Sequence, residues 1–259
     1  MKLGIMQPYF FPYIGYFQAI SAVDKYILYG NLTFIKDAWM NRNRLMGKGG
    51  NEHLITVPLL HKSSYKWISE ILIDNSFDWQ GKLLKTITMD YGKAPFFDEI
   101  YPVVQTALEQ RYNTLMELNA STIKAIAHIL EIHTDIDSDN SRYVEMESIL
   151  AHIEDDYSPM PYLEKTRPIR KVARVIEMCR REKSDFFVNA IGGMELYNTE
   201  EFAAYGISLH FVKTNEIWYK QFNNTFVPNL SIIDVLMHNG IKSTQRLLME
   251  YKLTPPVNA

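Results

Sequence analysis

The chain opens on a short apolar run, "KLGIM" at 2–6, then an interval of rings and prolines, and then "IGYFQAISAVD". In the last stretch Ile14, Phe17, Ile20 and Ala22 or Val23 recur on one helical side. Apolar residues without alternation suit a strand covered on both faces, while the 3.6-residue period suits a helix packed by one face. "KYILY" at 25–29 reads as the second strand, which makes a βαβ unit with its first loop at the carboxyl edge of the sheet. "HLITVPL" and "WISEILI" read as further strands around the polar stretch "LHKSSYK".

From Trp79 to Cys179 the pattern turns helical. "QTALEQRYNTLMELNASTIKAIAHILEI" reads as two amphipathic helices with a break and cap at Asn119 to Ser121. The acidic stretch "DIDSDNSRYVEMESILAHIEDDYSPMPYLE" reads as an exposed, partly mobile excursion. Strand "DFFVNA", glycine turn "IGGMEL", helix "NTEEFAAYG" and strand "ISLHFV" then restore the α/β pattern. The closing helix "SIIDVLMHNG" has Ser231 and Asp234 at capping-box spacing and a stop at Gly240. These elements predict one α/β domain over 1–259: a three-layer, Rossmann-like, mostly parallel sheet with a mainly helical insertion over 79–183.

Composition narrows the function. A net charge of −3 gives no electrostatic case for nucleic acid, which favours a strongly basic face. No run approaches the ~18 apolar residues of a membrane span, and "MKLGIMQP" lacks the apolar core of a signal peptide, so a cytoplasmic protein is expected. The single cysteine, Cys179, falls on the apolar side of "KVARVIEMCRRE" with Val172, Val175 and Ile176, the place of a buried core thiol rather than a nucleophile. His128 and His133 are five apart on a helix and cannot share a metal as i, i+4 ligands do. No HExxH, CxxC, GxSxG or Walker pattern occurs, and Asp74, Asp78, Asp90 and Asp98 are scattered, so no cofactor or metal is assigned.

Three stretches carry candidate chemistry. In "MQPYFFPYIGYF", Pro8 and Pro12 stiffen the loop, and Gly15 opens the helix with free N–H groups and no Cβ. Tyr9, Tyr13 and Tyr16 offer flat apolar faces with hydroxyl handles, suited to a sugar or nucleobase; packing of the rings against the helical region is the competing reading. "FIKDAWMNRNRL" gathers Lys36, Trp39, Asn41, Arg42 and Arg44, either as a fork for phosphate or carboxylate or as a solvated basic loop. In "NAIGGMELYNTEEF" the pair Gly192–Gly193 either cradles a phosphate or simply turns the chain, with Glu195 and Tyr197 at the helix mouth. The stretch "YIGY" and a later "KSTQR" resemble nucleotidyltransferase signatures, but tyrosines stand where those enzymes carry imidazoles.

Taken in order, "MQPYFFPYIGYFQ", "LTFIKDAWMNRNRL", "YGKAPFF", "IGGMELY" and "FVPNLSIIDVLMHNG" resemble the WbqC-like family over nearly the whole chain. The acidic excursion around Ser138 to Pro161 is longer than that resemblance implies. The resemblance implies a role in bacterial O-antigen or other surface-polysaccharide biosynthesis. The partner would be a nucleotide-linked amino sugar, and the reaction acyl or aminoacyl transfer to its amine. A nucleotidyltransferase-like enzyme and a non-catalytic sugar-binding module are the alternatives. The opening loop, the Arg42 and Arg44 cluster and the glycine pair would form one cleft, with Gln7 at its centre. N-acylation requires a neutral amine, for which Asp234 and Glu195 are the candidate carboxylates.

Overall fold

The computed structural model describes residues 1–222 and 225–255. In chain order the elements are β1 (Lys2–Met6), α1 (Ile14–Ser21), β2 (Lys25–Leu28), β3 (Arg42–Met46), β4 (Glu52–Thr56), β5 (Leu59–Leu60) and β6 (Leu72–Ile73). Then follow α2 (Trp79–Tyr91), α3 (Phe97–Glu109), α4 (Leu115–Ile129), β7 (Asp135–Asp137), α5 (Val144–Leu150) and α6 (Arg170–Arg181). The chain closes with β8 (Phe186–Ala190), α7 (Thr199–Ala203), β9 (Ser208–Thr214), α8 (Ile232–Leu247) and β10 (Tyr251–Thr254).

Six strands make the main sheet in the order β10-β9-β8-β1-β2-β7. All neighbours run parallel except β9 and β10. Alternation along the strands feeds two cores. Leu3, Ile27, Phe187, Leu209 and Phe211 face α5, α6 and α7, while Tyr26, Leu28, Val188 and Val212 face α1 to α4 and α8. A sheet covered on both faces is the expected three-layer α/β architecture. Residues 79–183 are mainly helical, yet they are woven into this frame: α2 to α4 cover one face, α5 and α6 the other, and β7 joins the sheet beside β2.

Four local expectations are corrected. "HLITVPL" does carry a strand, β4, paired antiparallel with β3, but in "WISEILI" only Leu72–Ile73 is extended, as β6 paired with β5, while Ile68–Glu70 is a 3-10 turn; neither pair joins the main sheet. The break between α3 and α4 falls before Leu115, where Thr114 and Glu117 close a reciprocal capping box. Asn119 lies inside α4, fully buried. The acidic stretch is not a free excursion, because Tyr143, Met146, Leu150, Ile153, Tyr157, Met160 and Leu163 point inward and build the second core. Its acidic residues gave the composition of a solvated segment, but its apolar residues decide the packing. Finally, α8 does not end at Gly240. The helix kinks there, at φ 68°, and resumes to Leu247.

Candidate functional site

The order β8-β1-β2 marks the point where the chain reverses its direction of travel across the sheet. From β1 it proceeds outward to β2 and β7; from β8 it proceeds the other way to β9 and β10. Connections leaving the carboxyl ends of β1 and β8 therefore diverge, and open α/β sheets bind ligands in the crevice this creates. A cavity of about 620 Å³ occupies that position. Gln7, Tyr9, Tyr13 and Tyr16 form one side, and Asn189, Gly192, Gly193 and Tyr197 the other. Lys171 and Arg174 reach it from α6.

The tyrosine wall is rigid because its backbone is tied from several directions. Phe10 and Phe11 are buried and leave Tyr9 and Tyr13 half-buried at the cavity. Asn119 Nδ2 donates to the carbonyls of Pro8 at 3.0 Å and Met40 at 2.8 Å. Asn43 Nδ2 donates to the carbonyls of Phe10 at 3.0 Å and Phe11 at 2.7 Å, and Ser231 Oγ to that of Phe11 at 2.8 Å. Phe11 sits at φ 40°, a conformation that a phenylalanine keeps only when its surroundings fix it. Gly15 lines neither this cavity nor its neighbour; a Cβ there would lie 2.4 Å from the Tyr13 ring. Its missing side chain is the space into which that ring folds.

Burial raises the hydroxyl pKa of Tyr9, Tyr13, Tyr16, Tyr26 and Tyr197, so these groups face the cavity protonated and act as donors or weak acceptors. Tyr16 donates to the Gln7 carbonyl at 2.9 Å, while the adjacent Tyr26 hydroxyl, fully buried at the cavity floor, makes no well-formed hydrogen bond. Arg174 is committed to Glu147, Nη2 to Oε2 at 2.9 Å, and Tyr29 donates to the same carboxylate at 2.7 Å. Burial, the largest single influence, would raise Glu147, but Arg174, Tyr29 and Arg170 together hold the carboxyl below its ordinary range. Lys171 is exposed and makes no ion pair or hydrogen bond among the described residues, which leaves a free cation at the rim. Among the described residues no carboxylate, imidazole or thiol lines the cavity.

A second cavity of about 550 Å³ lies beyond Tyr9 and Tyr13, which line both. The turn after β8 is shared as well: Gly192 and Gly193 face the first cavity and Ile191 the second. Trp39, Asn43, Arg44, Lys213, Thr214 and Asn229 complete it.

The expected single cleft is therefore divided. Gln7, Tyr9, Tyr13, Tyr16, Gly192, Gly193 and Tyr197 meet at the first cavity, and Trp39 and Arg44 at the second. Arg42 lines neither; it is held by the side chain and carbonyl of Asp37. Lys36 is exposed away from both, and Asn41 spends its amide on the Val57 carbonyl at 3.0 Å. Glu195 is exposed and outside both cavities. Asp234 is fully buried elsewhere, accepting from Tyr91 at 2.7 Å, Tyr219 at 2.6 Å and Gln221 at 3.1 Å. Its position three residues after the helix cap put it in the right place for a capping box, but the carboxylate turns inward to the tyrosines instead. Sequence reasoning missed Lys171, Arg174 and Asn189. The signal for the first two was the polar edge of the α6 period; for Asn189 it was only its place at a strand end.

Among the described residues no group of three His, Cys, Asp or Glu side chains could hold a metal ion, and no helix is long and apolar enough to cross a membrane. The architecture defines an α/β protein with a tyrosine-walled cavity at the switch point of its sheet. The model of the WbqC-like protein family matches residues 7–246, and the chain belongs to that family. It is 26% identical over 249 residues to an uncharacterized protein of Mycobacterium tuberculosis, Rv1507c, covering 95% of this chain and 97% of that one. No solved structure matches the chain.

Proposed function

We propose that the protein acts in surface-polysaccharide (O-antigen) biosynthesis as a transferase that binds a nucleotide-linked amino sugar and directs acyl or aminoacyl transfer to its amine. The observation that carries this reading is the convergence of neutral tyrosines, the free Gln7 amide and the glycine turn on one switch-point cavity with Lys171 at its rim. Aromatic faces suit a base or sugar, and the hydroxyls and Gln7 suit the sugar's polar groups. A lysine and backbone N–H groups suit a pyrophosphate.

In such a transfer the amine nitrogen bonds to the acyl carbon, the donor's leaving group departs with the electron pair of the broken bond, and the proton lost by the amine goes to that leaving group directly or through water. The buried tyrosines are too weakly acidic to carry negative charge here, so they orient the sugar rather than take that proton. The first cavity keeps the amine neutral by desolvation and holds it in place. The absence of a carboxylate or imidazole from the cavity lining favours a second reading, a sugar-binding module without catalysis.

Thermal stabilisation by a panel of small molecules separates these readings. Stabilisation by UDP-glucosamine and related nucleotide sugars that carry a free amine, lost in Lys171→Gln, supports the transferase. Stabilisation by free ATP or CTP alone points to nucleotidyltransferase-like chemistry, and by glycan fragments alone to the binding module. Transfer to the amine, followed by mass spectrometry, is the test of catalysis itself.

A further inference from the structure

We infer that the second cavity is a separate binding site for a phosphorylated planar ring, the chemical class of a nucleoside monophosphate. The site touches the first across Tyr9 and Tyr13. The inference rests on the proposed transferase only for its purpose: group transfer needs a donor beside the acceptor, and Tyr9 and Tyr13 line both cavities.

The chemistry of the second cavity differs from that of the first. Trp39 is a large indole left 42% exposed, with the Arg44 guanidinium 5.7 Å from its ring centroid. An indole beside a cation is a stacking platform for an electron-poor aromatic ring with an anionic substituent. Arg44 holds Glu52 through Nη1 at 2.7 Å and reaches the Pro228 and Asn229 carbonyls through Nη2 at 3.4 Å, while its buried Nε makes no hydrogen bond among the described residues. Lys213 on β9 lines the same cavity. Lys213 is paired in register with Lys252 on β10, so two lysines share one sheet face directly across from each other. Neither has an acidic partner among the described residues. Like charges placed directly opposite repel, and an anion between or beside them removes that cost. Thr214, next on the strand, adds a hydroxyl to the lining. The Trp39 indole, the Arg44 guanidinium and Lys213 thus line an open volume of about 550 Å³, enough for a mononucleotide.

Isothermal titration with adenosine 5′-monophosphate tests the site, and titration with UDP-glucosamine tests the first cavity in parallel. Trp39→Ala and Lys213→Gln should each weaken the monophosphate at least ~5-fold, with unchanged melting temperature, while Lys171→Gln leaves its affinity within twofold. The monophosphate should still bind when the nucleotide sugar is saturating. The inference is overturned if wild-type protein does not bind the monophosphate, if Lys213→Gln and Trp39→Ala leave it unchanged, or if saturating nucleotide sugar displaces it competitively. Monophosphate binding with the expected variant pattern but no nucleotide-sugar binding would uphold the second site and defeat the proposed function.

Discussion

Asn119 reaches from the middle of α4 to the Pro8 carbonyl, 3.0 Å away and 111 residues back along the chain. The same amide nitrogen serves Met40 at 2.8 Å, so one buried side chain clamps the ring-bearing loop to the segment that carries Trp39 and Arg44. Asn119→Ala would leave both carbonyls buried without this donor, at about 1–3 kcal/mol for each group left unsatisfied. The expected loss in urea unfolding is about 2–6 kcal/mol, with an unchanged denaturant slope. A loss below about 0.5 kcal/mol would show that the loop is held without this clamp.

Glu147 provides the next test. It is fully enclosed, with two arginines and Tyr29 on its carboxylate. Its folded-state pKa lies below the unfolded value, so its contribution is present above the unfolded carboxyl range, about 4.3, and fades as pH falls through the lower folded value. Glu147→Gln strands Arg174 in the core and should cost about 3–5 kcal/mol at pH 7. The mutant should also lose part of the wild type's acid limb, so the two stabilities approach each other near pH 3 in urea titrations. Parallel pH profiles would mean the carboxylate's charge contributes nothing to the folded state.

Cys179 is wholly inside, and burial pushes its thiol up to about 12. At pH 8 native protein should react with a thiol-specific disulfide reagent at least a hundredfold more slowly than urea-unfolded protein. Fast labelling of the native chain would place a reactive thiolate where the fold shows a core residue.

The sheet was legible because its strands are short apolar runs bounded by turn residues, and β1, β2, β8 and β9 fall within two residues of the pattern. Periodicity could not tell which runs join the main sheet. "HLITVPL" has a strand's composition, but its partner is β3, a choice made by tertiary packing. The site was half legible for a related reason. Rings and glycines near a strand's carboxyl end announce a crevice, so Tyr9, Tyr13, Gly192 and Gly193 could be found from sequence. Lys171 and Arg174 arrive from α6 on the opposite face, a long-range meeting at which only the polar edge of the α6 period hints. Arg42 and Arg44, as i and i+2 on β3, share a strand face, yet they go to different nearby partners, Asp37 and Glu52, a choice that spacing alone does not make.

Gly15 and Tyr13 supply a test in which geometry and stability come apart. The Tyr13 ring occupies the space a Cβ on Gly15 would need, 2.4 Å from the nearest ring carbon, and Thr214 Oγ1 closes the other side at 3.0 Å. Gly15→Ala must therefore push the ring away from the start of α1 and toward the cavities it divides. Alanine is otherwise favourable within a helix by up to about 1 kcal/mol, which offsets part of the steric cost and limits the change in melting temperature. Ligand affinity should respond more strongly. Tyr13→Ala should lower it about 10-fold through lost contact, and Gly15→Ala by a similar factor through displacement, whereas Tyr13→Phe, keeping the ring, should lose about threefold or less. Equal losses for Tyr13→Phe and Tyr13→Ala would assign the effect to the hydroxyl. A large drop in melting temperature for Tyr13→Ala, with affinity unchanged, would instead make the ring a packing element and remove it from the binding wall.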